Sequence, residues 1–517
     1  VVAGLVELGA RAFAQEYDAE RGGFGRAPKF PNAGALHLLL DRWLDTGEDE
    51  ARAMVDGTLS AMARGGIHDH LGGGFHRYST DARWLVPHFE KMAYDNGVLL
   101  EIYALAHAVL GDPLHRRAAE GIVEYYRDVA PELVATGGFP ASQDADVGPD
   151  DDGAYWTWTV DEVREAFDGD ERLVRAAVLR YGLDDPQSGM HTDHDRHVLY
   201  LANDARTVAE RLELDAAEAE SILDRIATRL KEARDARPRP YVDETVYAGW
   251  TALVASGHIA AARYLGLEEA GAAGLRALER IMTEAFHPDV GVAHRVGDTG
   301  GEGYLEDQAY VAKALADALE WTQDPVWLER TRSVVAVMRR RFRDEGGAFS
   351  DRPRDDHTVL GMLGEPHRPI TDAPAPSGNA VAAQVLLRLA ALVNDGTLRE
   401  EAMAALRAFA GTAQAIPTAV AAYLRAVDWA TSPVVTLVVV GDDGAPTADA
   451  HGQRRGDLPF RGEGLTPARG ASSPPACGER FRHYIPLWGA LSRPRRRLDE
   501  RQDRKQPPGP QGALPQG

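Results

Sequence analysis

Four histidines (His68, His70, His76 and His88) share one glycine-rich stretch, Gly65 to Asn96, with Asp69, Asp81, Arg77, Arg83, Trp84, Glu90, Tyr94 and Asp95. Imidazoles exchange protons near neutral pH, carboxyl groups accept or deliver them, and an indole offers an apolar plate on which a ring can stack. Glycines permit backbone shapes closed to other residues, so the run reads as a shaped loop rather than a helix or strand. A linker needs neither aromatics nor titratable groups, whereas long loops on a rigid scaffold usually carry function. The loop therefore reads as the floor or wall of a site.

Later loops carry acids too. Gly137-Gly-Phe-Pro-Ala-Ser-Gln precedes Asp144 and Asp146, and Gly153-Ala-Tyr-Trp-Thr-Trp158 follows. Asp243 and Glu244 stand two turns before Trp250; Tyr304 leads into Glu306, Asp307 and Tyr310; Asp372 precedes Ser377 and Asn379. Sugar chemistry needs this mixture: aromatic faces to stack a ring, carboxylates and amides to bind hydroxyls, and one acid of raised pKa to protonate a leaving oxygen. Epimerisation would instead need a base and an acid on opposite ring faces, for which His70, His76 and His88 are candidates. His70, Asp144 and Asp146 are expected to do acid/base work. Asp69, His76, Arg77, Trp84, His88, Glu90, Tyr94, Asp95, Asp243, Trp250, Glu306, Asp307, Asp372 and Asn379 are expected to bind the substrate. The competing reading is structural: Asp243, Glu306, Asp372 and Ser377 sit at helix starts, where capping and the helix dipole explain them without catalysis. Trp156 and Trp158 read as packing. His191-Thr-Asp-His-Asp-Arg-His197 matches no helical zinc motif and reads as a solvated loop. No metal and no cofactor is expected.

The elements that must position these groups are helices. Leu36, Leu39, Leu40, Trp43 and Leu44 form the stripe of one buried helical face. Comparable stretches lie near 49–64, 90–110, 114–130, 160–181, 206–235, 244–266, 268–286, 304–322, 325–343, 376–394, 397–412 and 415–428. Connections alternate: short ones near 46–48, 111–113, 267, 323–324 and 395–396, long ones at 65–89, 131–159, 236–243, 287–303 and 344–375. Short connections join antiparallel neighbours. About six such hairpins, with their long loops gathered on one rim, predict an all-α fold, an (α/α)6 toroid over residues 1–430. A solenoid is also built from hairpins, but would repeat at a near-constant period of ~34 to 47 residues, and these loops begin at irregular intervals. Residues 431–443 read as a terminal strand segment around Pro433–Gly441.

Composition sets limits. The 517 residues carry 79 acids against 57 Lys and Arg, a formal charge of −22, which argues against nucleic acid or anionic membranes as partners. Only five lysines occur, and the acid excess resembles the surfaces of proteins from salt-loving microbes. Cys477 is the single cysteine, so the chain has no internal disulfide or CxxC pair. No apolar run approaches the ~20 residues a membrane span requires. With no visible signal peptide, although the chain begins at Val1, a cytoplasmic location is expected. Beyond residue 443 the character changes: from 451 to 517 the charge is +7, after a body of −29. Rich in Gly, Pro, Arg and Gln, the 444–517 tail reads as disordered or as the product of a shifted reading frame, with Phe481, Tyr484 and Trp488 able to dock locally.

Five strings occur in an order that resembles the spermatogenesis-associated thioredoxin-like proteins: Gly22-Gly-Phe-Gly-Arg-Ala-Pro-Lys-Phe-Pro31, His68 to Asn96, Ser142-Gln-Asp-Ala-Asp146, Tyr304-Leu-Glu-Asp-Gln-Ala-Tyr310 and Pro376-Ser-Gly-Asn379. The similarity covers about residues 15 to 440. The resemblance implies a thioredoxin-like domain followed by a six-hairpin toroid related to glycosidases and N-acylglucosamine epimerases. No thioredoxin-like domain is present in this chain, so no redox activity carries over to it. Where the family commonly shows Asp-Asp-Lys and then Ser-Trp-Asn-Gly, this sequence has Asp243-Glu-Thr245 and Gly249-Trp-Thr-Ala252. A carbohydrate-active or carbohydrate-binding toroid, hydrolase or epimerase, with a small-molecule ligand, is the leading expectation. A non-catalytic scaffold that binds a protein is the alternative.

Overall fold

The computed structural model describes residues 4–432 except 150, 191, 299 and 355–366, together with strands at 435–439 and 483–487. Seventeen α-helices occur among the described residues: α1 (Leu5–Glu16), α2 (Ala33–Thr46), α3 (Asp49–Arg64), α4 (Ala93–Leu110), α5 (Pro113–Val129), α6 (Pro131–Ala135), α7 (Val160–Ala166), α8 (Glu171–Tyr181), α9 (Ala205–Leu212), α10 (Ala216–Asp235), α11 (Ala248–Leu265), α12 (Glu268–Glu284), α13 (Leu305–Thr322), α14 (Pro325–Arg341), α15 (Gly378–Val393), α16 (Gly396–Ala415) and α17 (Ala421–Thr431).

Six of them form an inner ring, in which α2, α4, α11, α13, α15 and α17 each contact the next and α17 returns to α2. Helices apolar on every side are buried, and α11 and α15 are buried along almost their whole length. Small residues let inner helices approach: a Cβ at Gly97 of α4 would lie 2.7 Å from the Leu253 backbone of α11. Amphipathic helices α3, α5, α12, α14 and α16 pack outside, each after a short connection, and their apolar faces join one continuous core.

The short connections marked five hairpins and left the sixth unassigned. Residues 160–235, which read as two helical stretches, form four shorter helices, α7 to α10, packed around a separate core that includes Trp158, Val163, Leu173, Ile226 and Leu230. The ring instead closes through α1, whose Leu5, Val6, Ala10 and Phe13 are buried and which lies against α17. The first and last helices of the toroid thus make its sixth hairpin, across the longest sequence separation in the ring.

Every long connection runs from an outer helix to the next inner one, so all inner helices begin at the same rim. Short strands join the loop before α4 to both ends of the α5-to-α11 connection, Lys91–Met92 to Ser142–Gln143 and Ser142–Gln143 to Val242–Asp243. Amides in the first turn of inner helices hold the loops that precede them. Asn96 accepts from the Phe75 N–H at 2.7 Å and donates to its carbonyl at 2.9 Å. Gln308 does the same for Val292 (2.8 and 2.7 Å), and Asn379 for Phe349 (2.8 and 2.9 Å). A strand at Val435–Val439 follows the toroid, within the expected 433–441 segment, and pairs antiparallel with His483–Leu487. That second strand contains Tyr484, one of the three aromatics expected to dock. The remainder of the 444–517 tail lies outside the described residues.

Candidate functional site

A cavity of about 490 Å³ opens at this rim on the ring axis, between the starts of α2, α4 and α17 and the loop before α15. Phe30, Asn32, Arg77, Asp95, Asp372 and Thr418 are among its walls. The volume lies within the range usual for small-molecule pockets.

Asp95 sits in the first turn of α4 and is buried, with no hydrogen-bond partner for its Oδ2 among the described residues. Desolvation penalises the charged form; burial therefore pushes its carboxyl up to about 8, with Arg77 the opposing influence. Arg77 donates to Glu90 at 3.1 Å, which holds the guanidinium at the cavity wall. Tyr94 beside it is raised to about 12 by burial and then by Asp95. Across the cavity Asp372 accepts from the Ser377 N–H at 2.9 Å and the Ala422 N–H at 2.8 Å, tying the loop before α15 to the start of α17. Its carboxyl is pushed up to about 6 by burial, which outweighs these backbone donors.

Two groups of aromatics stand among the rim loops, the first of which reaches the cavity through Phe30. Phe30, 45% exposed, packs 5.0 Å from Tyr78, which stacks on His88 at 5.1 Å. Tyr94, Trp250, Tyr247, His294 and Tyr304 form the second group, a chain with centroids 4.9 to 5.1 Å apart. His294 lies 3.0 Å from Asp307 through Nδ1, and that hydrogen bond raises its pKa. Glu306, raised by burial and then by Asp307, faces the start of α15, where a Cβ on Gly378 would lie 3.2 Å from its Cγ.

Of the residues read from sequence, the cavity wall brings together Arg77, Asp95 and Asp372; Glu90 joins through Arg77; Tyr94, Trp250 and His88 belong to the aromatic groups. Asp307 is buried as the partner of His294, and also accepts from the Gly249 and Tyr304 N–H groups at 3.1 and 2.9 Å. Asp243 caps the turn to Thr245 at 2.9 Å. Asp144 and Asp146 are exposed on the outer rim, both raised chiefly by burial; Asp146 also accepts from the Gly153 N–H at 3.1 Å.

Five expected site residues are drawn elsewhere, because loop architecture uses them up. Asp69 is enclosed: Oδ1 accepts from Arg234 at 2.7 Å and from the Leu71 and Gly72 N–H groups at 3.0 Å, and Oδ2 accepts from Lys91 at 2.7 Å. Burial alone would raise its pKa, but Arg234 and Lys91 hold it well below the usual carboxylate range. His76 is buried with Nδ1 donating to the Phe89 carbonyl at 2.6 Å, and burial pushes it down to about 3. His70 donates through Nε2 to the Gly65 carbonyl at 2.9 Å and is lowered to about 4 by burial. Trp84 is fully buried and donates to the Gly22 carbonyl at 3.2 Å. Asn379 spends its amide on Phe349 and Pro369. In the 191–197 stretch, His197 is buried 3.1 Å from Ser188, while His191 lies outside the described residues.

Sequence reasoning missed Phe30, Asn32, Tyr78, Tyr247 and His294. Asn32 carried a signal: it ends Lys-Phe-Pro-Asn directly before a helical stripe, the place of an N-cap, and it adopts a left-handed φ of 49° there. His294 carried none, being a lone histidine in Val-Ala-His-Arg. Away from the rim, Asp56, Asp112 and His115 bring ligand-type atoms within 4.8 Å of one another at the short-loop end of α3 and α5. Among the described residues no helix is long and apolar enough to cross a membrane.

A closed ring of six inner helices with six outer helices packed around it, and the long connections gathered on one rim, defines an (α/α)6 toroid of the six-hairpin glycosidase-like class. A cellobiose 2-epimerase from Bacillus thermoamylovorans B4167 shares this fold, with a TM-score of 0.50 at 8% identity over 78% of this chain and 86% of that one. No protein-family model matches the sequence. Over most of its length the chain is similar to spermatogenesis-associated protein 20 of two mammals. The Mus musculus protein is 30% identical over 491 residues, 87% of this chain and 61% of its own length. The Homo sapiens protein is 33% identical over 467 residues, 82% of this chain and 58% of its own. The chain thus spans about three fifths of the length of the curated relatives it matches.

Proposed function

We propose that this toroid binds a carbohydrate in its axial cavity and acts on it with Asp95 as the proton donor. The observation that carries the reading is Asp95: a cavity-lining carboxyl, with one oxygen free of partners, that stays protonated at neutral pH because burial raises it to about 8. A pKa near the working pH suits a general acid. A scaffold surface would have its acids paired or exposed, as Asp69 and Asp144 are. In a hydrolysis, Asp95 would protonate the glycosidic oxygen as the C–O bond breaks. A second carboxyl, Asp372 or Glu306, would take the proton of the attacking water, and Phe30 with Tyr78 would stack the sugar ring. The acid role expected of His70 passes to Asp95 because His70 is committed to a backbone carbonyl; Asp144 and Asp146 stand outside the cavity wall.

His294, oriented and made more basic by Asp307, favours a second reading, proton abstraction at a sugar carbon as in an epimerisation. One set of measurements separates the two. Purified protein is incubated with a panel of neutral oligosaccharides, following the melting temperature, reducing-end release, and deuterium uptake from D₂O at sugar carbons. A stabilising sugar whose turnover disappears in Asp95→Asn supports the proposal; deuterium uptake lost in His294→Ala selects the second chemistry. If no sugar of the panel shifts the melting temperature, carbohydrate binding is wrong.

A further inference from the structure

Below the cavity the ring narrows to a chamber of about 40 Å³, lined by His37, Glu101, Lys313, Gln384 and Arg425 and sharing Gly34, Val98 and Pro376 with the space above. Glu101 and Lys313 each stand eight residues into their helices, which at about 1.5 Å per residue places this floor about 12 Å beneath the rim. A layer of ion pairs drawn from all six inner helices accompanies it. Lys313 bonds Glu101 at 2.8 Å and Asp317 at 2.9 Å. Arg388 reaches Asp317 at 2.8 Å and Glu320 at 2.7 Å, Arg263 reaches Glu320 at 3.0 Å, and Arg425 reaches Asp41 at 2.7 Å. Ser256 of α11 also donates to Asp317 at 2.8 Å.

Each of these four cations already has a carboxylate, and the four carboxylates match them in charge. An entering anion would meet Glu101 and a Lys313 that is already neutralised, and would have to break a part-buried pair to gain one of its own. His37 differs. It is buried on α2 and lines the chamber, and its Nδ1 has no hydrogen-bond partner among the described residues. Burial and then Arg425 hold it well below the usual histidine range, so the ring is neutral, with one nitrogen that donates and one that accepts. A hydroxyl has the same double character. Gln384 beside it is fixed by its bond to the Ala422 carbonyl at 2.8 Å. A buried polar atom left without a partner is costly; Nδ1 is shielded from water as the side chains stand, so a hydroxyl removes that cost by drawing the imidazole toward the chamber.

We infer that this chamber is the innermost subsite of a pocket closed at its base, which takes the uncharged end of a neutral glycan and rejects the corresponding uronate or phosphate. The inference rests on the carbohydrate reading and narrows it to a substrate class and to recognition of a chain end.

The test is calorimetric titration of wild type, His37→Phe and Glu101→Gln with three probes: neutral glucose- and mannose-terminated disaccharides, the matching glucuronate-terminated disaccharides, and glucose 6-phosphate. Wild type should bind a neutral probe at least tenfold more tightly than its charged counterpart. His37→Phe should weaken the neutral probe about tenfold, with the melting temperature within a few degrees of wild type. Glu101→Gln frees one donor of Lys313 and should bring the charged probe to within threefold of the neutral one. If Glu101→Gln does not fold, the wild-type ratio and His37→Phe decide. Equal or tighter binding of the charged probes by wild type, or unchanged binding by His37→Phe, overturns the inference while leaving the carbohydrate reading intact. Binding of none of the probes overturns both.

Discussion

Asp69 and Asp95 stand 26 positions apart in the same loop-to-helix segment, and both are buried, yet they end in opposite states. Asp69 has two cations and two backbone N–H groups on its oxygens and is held ionised. Asp95 lines the cavity, its Oδ2 is buried with no hydrogen-bond partner among the described residues, and burial raises its pKa to about 8. The same contrast runs between the regions around them. The loop knot has a twin: Lys29 bonds Asp18 and the Gly22 carbonyl, both at 2.7 Å, and Lys91 bonds Asp69 and the Gly73 carbonyl, both at 2.7 Å. Those two fully buried lysines belong to the most specific strings in the sequence, Ala-Pro-Lys-Phe-Pro and Phe-Glu-Lys-Met. The difference teaches that the most distinctive motif here builds the walls, and that the site is marked by a carboxyl the walls leave unpaired.

Breaking the knot should cost most in stability. Asp69→Asn strands Lys91 and Arg234 as buried cations, and removing one partner of a buried pair costs about 3–5 kcal/mol. Denaturant unfolding should show this loss, whereas a change under about 1 kcal/mol would mean the knot is dispensable. Asp372→Ala should come next, losing two backbone hydrogen bonds at about 1 kcal/mol each. Asp95→Asn should cost little or stabilise, because it removes a carboxyl whose ionised form the site disfavours, while lowering turnover about 100-fold or more.

Acid and base should separate the two aspartates. The Asp95 pKa is raised on folding, so the native state holds a proton that the unfolded chain releases, and stability falls as pH rises from about 4 to about 8. Asp95→Asn should lack that fall, its advantage over wild type growing across this window and levelling above it. Asp69 is depressed instead, so its contribution is full above the ordinary carboxylate value of 3.8 and is lost as pH falls below it. Two-state unfolding curves from pH 3 to 9 check both signs. The smallest effect is expected at the exposed rim: Asp144→Asn should change turnover less than threefold and leave the melting temperature within a few degrees. A large loss of turnover with unchanged stability would move the acid role outward from Asp95 to Asp144.

Most of the ring was legible because burial imposes period and length: the stripes at 36–44 and along the later stretches, and the short connections at 46–48, 111–113 and 323–324, are local facts. Less legible was which helices pair. The 160–235 stretch has the same amphipathic period as a ring hairpin, and only its separate core distinguishes it. The role of α1 depends on α17, more than 400 residues away in sequence.

The sequence by itself determined the helical class, the alternation of short and long connections, and the gathering of aromatics and acids in loops, because each follows from neighbours within a turn or two. Tertiary structure alone decided which acids could act. A carboxyl's protonation state depends on the groups the fold brings around it: Arg234 reaches Asp69 from 165 positions away, Asp307 orients His294, and the space beside Asp95 exists only because the starts of α2, α4 and α17 meet the loop before α15 there.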